Sequence, residues 1–236
     1  MVIKKLRWVL LAVAILVAIG LASYRQLHEY YVKANLDPQL ELQESLKTMT
    51  AVKSYRYSLK STFTVDGRRE VISEVQGEKD NYDTHIKGEM VNTPVDIYYL
   101  DSTIYNYDSF SKKWLVIESN THNSEELLIS ELNPLSNFRF KSIRNVKKLY
   151  FDQIGDEEYL VVSCNPSIES QLLETMWKDF EYKLWIEYKQ NYIKKASLTA
   201  TNKQNQKTKL EIKVDIFDIG KRIDIKPPDL GAAKKS

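Results

Sequence analysis

The first strong pattern in the chain is an unbroken apolar run, WVLLAVAILVAIGLA, from Trp8 to Ala22. A helix from Leu6 to Tyr24, rising about 1.5 Å per residue, spans about 28 Å, close to the ~30 Å hydrocarbon core of a bilayer. Lys4, Lys5 and Arg7 precede the run, and cations there favour a cytoplasmic amino terminus. The pattern predicts a single-pass membrane anchor over residues 1–23 with everything after Ser23 outside the cytoplasm. Two other readings stay open. Small residues at Gly20 and Ala22 also suit a cleavable secretory signal, and the run could form a buried core helix. Ser23 and Tyr24 stand where a lipoprotein would have its cysteine, so no lipid is expected at this end.

Beyond Ser23 the spacing is first helical. Leu27, Tyr30, Tyr31 and Ala34 predict a stalk over residues 24–37. Asp37-Pro38 interrupts it, and Leu42, Leu46, Met49 and Val52 form one apolar stripe on a second helix. At Tyr55 the period drops to two. Tyr55, Tyr57, Leu59, Phe63 and Val65 alternate with Arg56, Ser58, Lys60, Thr62 and Thr64, one face apolar and one wet. Asp66-Gly67 signals a hairpin turn into Val71 to Gln76. A third strand carries Tyr82, Thr84, Ile86, Gly88 and Met90 on one side. Val95 to Leu100, Ile104 to Tyr107 and Trp114 to Glu118 then complete a six-stranded antiparallel meander.

From Thr121 to Phe140 alternation stops, and two short helices are expected, one capped by Asn123 with Glu126 and one starting at Pro134. Strands resume at Val146 to Ile154 and, after the Gly155-Asp156 turn, Tyr159 to Cys164. Asn165-Pro166 is read as opening a helix with Ile168, Leu172, Leu173, Met176, Trp177 and Phe180 on one face. The last meander runs Tyr182 to Tyr188, Ile193 to Thr201 and Leu210 to Ile216. Pro227-Pro228 closes a domain spanning 38–228, and residues 229–236 read as a loose tail.

Charge and chemistry narrow the function. The formal charge of +2 depends on the amino terminus: without Lys4, Lys5 and Arg7 the 34 basic residues become 31 against 32 acids. Nucleic acid is therefore not an expected partner. The single cysteine, Cys164, excludes an internal disulfide, and its place among Leu160 and Val162 predicts a buried, inert thiol. His28, His85 and His122 are far apart and read as solvated, giving no metal site. The turns at Asp156-Glu157-Glu158 and Lys189 to Lys195 read as solvated hairpin tips. No phosphate loop or nucleophile elbow occurs, so neither an enzyme nor a cofactor is expected.

The stretches LQESLKTMTAVKSYRYSLKSTF (Leu42 to Phe63), Trp114-Leu115-Val116, YKLWIEYKQNYIKKASLTA (Tyr182 to Ala200) and Ile223-Asp224-Ile225-Lys226-Pro227-Pro228 resemble the LolA-like family, which includes LolA, LolB, mycobacterial LppX-type proteins and the amino-terminal domain of RseB. The resemblance covers Pro38 to Pro228. It implies an α+β fold: a curved antiparallel half-barrel of about eleven strands covered by helices, here preceded by a transmembrane helix. It also implies a hollow holding the acyl chain of a lipid or lipoprotein, although a tethered protein is not suited to shuttling.

The side chains expected to converge on that hollow are Tyr57, Leu59, Phe63, Ile86, Met90, Leu172, Met176, Trp177, Leu184 and Ile186. Alternation leaves open which face is concave, and whether these residues only pack sheet on helix or line an open cavity. The function expected is non-catalytic binding of a hydrophobic ligand at the outer surface of the cell membrane. The alternative is a sensory or protein-interaction module of regulator or spore-germination type, docking an envelope protein on the same sheet.

Overall fold

The computed structural model describes residues 26–118 and 140–230, together with residues 17, 20, 23 and 24. The expected membrane span and the two short helices between Thr121 and Phe140 therefore fall almost wholly outside the described residues. Among the described residues no helix is long and apolar enough to cross a membrane. Contacts divide the chain into two units, Met1–Asp37 and Pro38–Ser236.

In the first unit residues 26–35 are helical. Its Leu27, Tyr30 and Tyr31 are exposed, His28 stacks on Tyr24 with ring centroids 6.0 Å apart, and the Asn35 amide donates to the Tyr31 carbonyl.

The second unit opens with helix α1 (Pro38–Ala51). Proline suits a first helical position, where no intrahelical partner for its missing N–H is needed. Leu42, Ser45 and Met49 are buried, and the helix packs on strands β7, β9 and β10. Among the described residues eleven strands follow: β1 (Ser54–Val65), β2 (Arg68–Asp80), β3 (Asp83–Met90), β4 (Thr93–Leu100), β5 (Thr103–Asp108), β6 (Lys113–Glu118), β7 (Phe140–Ile154), β8 (Glu157–Ile168), β9 (Trp177–Glu187), β10 (Tyr192–Asn202) and β11 (Lys209–Phe217). The short helix α2 (Gln171–Met176) lies between β8 and β9.

The strands form one open, curved antiparallel sheet in the order β6-β5-β4-β3-β2-β1-β11-β10-β9-β8-β7. Two meanders are joined by a single non-local pairing, β1 with β11, in a register that sets Tyr57 against Ile216 and Phe63 against Leu210. Tight turns at Asp66-Gly67, Val91-Asn92 and Asp101-Ser102 have both central residues at positive φ, the conformation that matches strand twist. Register shifts at Ser61/Thr62 in β1 and at three places in β7 add bend where a regular ladder would stay flatter.

Four strand boundaries differ from the sequence reading. Asn165 to Ile168 opens no helix: these residues continue β8, paired with Arg144, Ile143, Ser142 and Phe140 of β7, so Phe140 belongs to a strand as well. Pro166 is tolerated because β8 pairing with β9 stops at Cys164↔Tyr182, leaving its nitrogen at an unpaired position. Helix α2 is consequently only six residues long, held by the Ser170 side chain accepting from the Leu173 N–H. Trp177 and Phe180, assigned by spacing to that helix, sit in β9. Tyr82 likewise falls in the β2–β3 turn, 85 % exposed.

The pairings place Leu160, Val162, Cys164, Tyr182, Leu184, Ile186, Ala196, Leu198, Leu210 and Val214 on one face, and all are buried. The opposite face of β9 and β10 carries Lys183, Lys195, Ser197 and Thr199 with Trp185. The helices therefore lie on the first face, here called inner. A smaller outer cluster of Tyr159, Val161 and Trp185 is fixed by the Trp185 indole donating to Asp152 at 2.7 Å.

Cys164 is buried as expected, and burial pushes its thiol from an ordinary 9.0 up to about 12. The buried Tyr57 and Tyr182 hydroxyls are also pushed up by desolvation. Native acids that hold their protons where the unfolded chain releases them make stability fall with rising pH. Unfolding free energy is thus expected to be full below about pH 9 and to decline between pH 9 and 12. Urea titrations of the wild type and Cys164→Ala over that window check it: the variant should show a shallower decline, and an identical slope would exclude the thiol.

Candidate functional site

On the inner face the strand register aligns side chains in rows running from β1 toward β6. The first row is Tyr55, Lys79, Thr84, Tyr99, Ile104 and Ile117; the second is Tyr57, Gly77, Ile86, Ile97, Asn106 and Leu115; the third is Leu59, Val75, Gly88 and Val95. Helices α1 and α2 pack on β7 to β10, the other half of the sheet. Exposure follows that division. Tyr57 and Ile86 are buried near the centre, Val95, Ile97 and Tyr99 are half-buried, and Leu115 and Ile117 reach 49 % and 51 % exposure at the β6 edge. The rows thus form an apolar surface that becomes more open away from the helices.

Glycines shape its floor. The Tyr57 ring lies across Gly77, so that a Cβ there would stand 2.2 Å from the ring. At Gly88, φ is +152°, and a Cβ would meet the Glu74 carbonyl oxygen at 2.3 Å. Neither position has room for a side chain.

Polar groups on the rows are few. Lys79 is the one cation among them; desolvation pulls its ammonium below the ordinary lysine value, partly offset by Asp83. Thr84, directly opposite Lys79, is 5 % exposed, and its hydroxyl has no hydrogen-bond partner among the described residues.

The ten residues expected to converge divide into groups. Leu184 and Ile186 are fully buried in the helix-covered half. Trp177 closes one end, its ring 5.2 Å from Phe63 in a cluster with Ala200 and Leu210. Tyr57, Leu59, Ile86 and Met90 share the inner face of β1 to β3, with Leu59 and Met90 half-buried. Met176 is 43 % exposed at the end of α2, and the side chain of Leu172 lies outside the described residues. Sequence reasoning did not select Val95, Ile97 and Tyr99, although period-two alternation in β4 was the signal that marks them. Lys79 carried no such signal, because a lysine near a strand end reads as solvated.

The outer face is a charge ladder. Arg56 reaches Glu78 and Asp218, each at 3.0 Å, and these two hydrogen-bonded carboxylates raise its pKa. His85 is not a solvated surface histidine: its Nε2 is 2.8 Å from Asp96, its Nδ1 is 3.5 Å from Glu78, and its ring stacks on Tyr98 at 3.8 Å. Tyr98 and Tyr107 in turn flank Trp114. Among the described residues no three potential ligands group as a metal site, and His122 lies outside them. The Glu157 carboxylate accepts from the Tyr159 hydroxyl, and Lys194 pairs with Glu187 at 3.5 Å.

No protein-family model matches the sequence, and no curated protein does. Solved structures do match. Lipoprotein LppX of Mycobacterium tuberculosis is 14 % identical, with 81 % of this chain and 100 % of that one covered, at a TM-score of 0.54. LprF of Mycobacterium bovis is also 14 % identical, with 82 % and 97 % covered, at 0.55. Such identity across nearly the whole of both relatives speaks to architecture rather than activity, and the architecture it establishes is the fold of LppX and LprF.

Proposed function

We propose that this chain is a membrane-anchored, extracytoplasmic binding protein that holds an acyl chain on the inner face of its sheet and performs no covalent chemistry. The observation that carries the reading is the gradient of exposure along the three apolar rows. Val95, Ile97 and Tyr99 are half-buried and Leu115 and Ile117 half-exposed, on the face where the far half of the sheet already has its helices. Apolar surface of this kind gains about 25 cal/mol per Å² when covered, and a lipid tail is a flexible cover of the right chemistry. The likeness in fold to LppX, described as a lipoprotein, agrees with it. Export and anchoring rest on the apolar run from Trp8 to Ala22 and the cations before it.

The test is native mass spectrometry of the full chain released from non-ionic detergent after exposure to phosphatidylglycerol and palmitate. One tightly held lipid or fatty acid per chain is expected. A protein that remains empty under conditions where detergent is stripped refutes the reading. A second reading draws on β6, an edge strand among the described residues, with Leu115, Val116 and Ile117 each about half exposed, since open edges pair with other chains. An empty protein that retains an envelope partner, and loses it on Val116→Pro, would favour that docking role.

A further inference from the structure

Resting on the acyl-binding reading, we infer that the inner face also carries an anion subsite, formed by Lys79 and Thr84, that selects amphiphiles with an acidic head group. The two residues face each other across β2 and β3 in the row that begins with Tyr55 and continues to Tyr99. Their neighbours in the next row are Tyr57, Gly77, Ile86 and Ile97, so the pair stands at the border of the apolar rows.

Both groups are short of partners. The Thr84 hydroxyl is buried and accepts or donates no hydrogen bond among the described residues. Lys79 makes no hydrogen bond and no close ion pair among them; it is half-buried, and its ammonium is held below the ordinary value by desolvation that the attraction of Asp83 only partly offsets. A desolvated cation beside an unsatisfied hydroxyl is unfavourable when empty and favourable once an anion arrives. A carboxylate or phosphate can accept from both, and charge-assisted bonds of this kind are the stronger class. An apolar tail attached to that anion would run along Ile86 and Ile97, so one ligand satisfies both surfaces.

The experiment uses the full chain in amphipol and four probes: laurate, dodecyl phosphate, dodecanol and inorganic phosphate, with calorimetric or fluorescence-displacement readout. Laurate and dodecyl phosphate are expected to bind on the order of tenfold more tightly than dodecanol, the increment of a single charge-assisted bond. Lys79→Met should erase that preference by weakening the two anions and leaving dodecanol unchanged. Thr84→Val, which keeps the volume and removes the hydroxyl, should reduce the preference in part. Thermal unfolding of each variant confirms that the sheet persists. Equal binding of laurate and dodecanol by the wild type, or a preference that survives Lys79→Met, overturns the subsite while leaving acyl binding intact. Lys79-dependent binding of inorganic phosphate without a laurate preference replaces the amphiphile by a free anion and also overturns it. Failure of all four probes overturns the acyl-binding reading itself.

Discussion

Replacing Gly77 by alanine is expected to destabilise the second unit by about 3 kcal/mol or more, a large value for one added methyl group. Overpacking a core ordinarily costs about 1–3 kcal/mol, and the upper end applies here because the obstructing group cannot step aside. The new Cβ would stand 2.2 Å from the Tyr57 ring and 2.4 Å from its hydroxyl oxygen, while Tyr57 is only 1 % exposed. Moving that ring means disturbing a strand pair in the middle of the sheet, since Tyr57 is opposite Gly77 on one side and Ile216 on the other. Alanine carries no backbone penalty in a strand relative to glycine, so the cost is steric alone. In a Tyr57→Leu background the same substitution should therefore cost less than about 1 kcal/mol, the difference being the coupling that a double-mutant cycle isolates. Urea unfolding of the four proteins measures it. Equal costs in the two backgrounds would mean that the ring over Gly77 is not what excludes a side chain.

Ile97→Glu is expected to weaken acyl-chain binding at least about a hundredfold with little loss of stability. The side chain is half-buried on β4, between Ile86 and Asn106 across the ladder, so the empty protein can keep a carboxylate there hydrated. A bound tail would cover it, and an unpaired charge left in an apolar contact costs about 3–5 kcal/mol, which corresponds to a factor of a hundred or more. Titration of the wild type and variant full chains with dodecanol reads the effect without a charged head group. Unchanged affinity with an unchanged melting temperature would move the tail off β4 and leave the helix-covered half as the place to look.

These two sites illustrate how differently parts of the fold are legible. The alternation of Tyr55, Tyr57, Leu59 and Phe63 with polar residues marks β1 from composition alone, because one face of a sheet is buried and the period is two. The Asp66-Gly67 turn is legible for a related reason: few residue types tolerate positive φ, and Asp-Gly is a pair that does. Helix against strand was decided wrongly at Asn165-Pro166, where proline after asparagine satisfies a helix-start rule, yet β7 offers a longer-range partner that no local signal records. His85 was misread in the same way, since Glu78 and Asp96 are its neighbours only through strand pairing.

The chain's own sequence determined the number of strands, their turns and the apolar composition of one face, because each of these depends on residues close together along the polymer. Only the tertiary structure decided that β1 pairs with β11, which half of the sheet the helices cover, and which apolar residues are left half-exposed. Those choices rest on contacts between residues up to 160 or more positions apart, as between Arg56 and Asp218, and local periodicity carries no term for them. Lys79 shows the consequence: an ordinary strand-end lysine by sequence, it becomes a desolvated cation beside an unsatisfied hydroxyl once β2 and β3 are set in register.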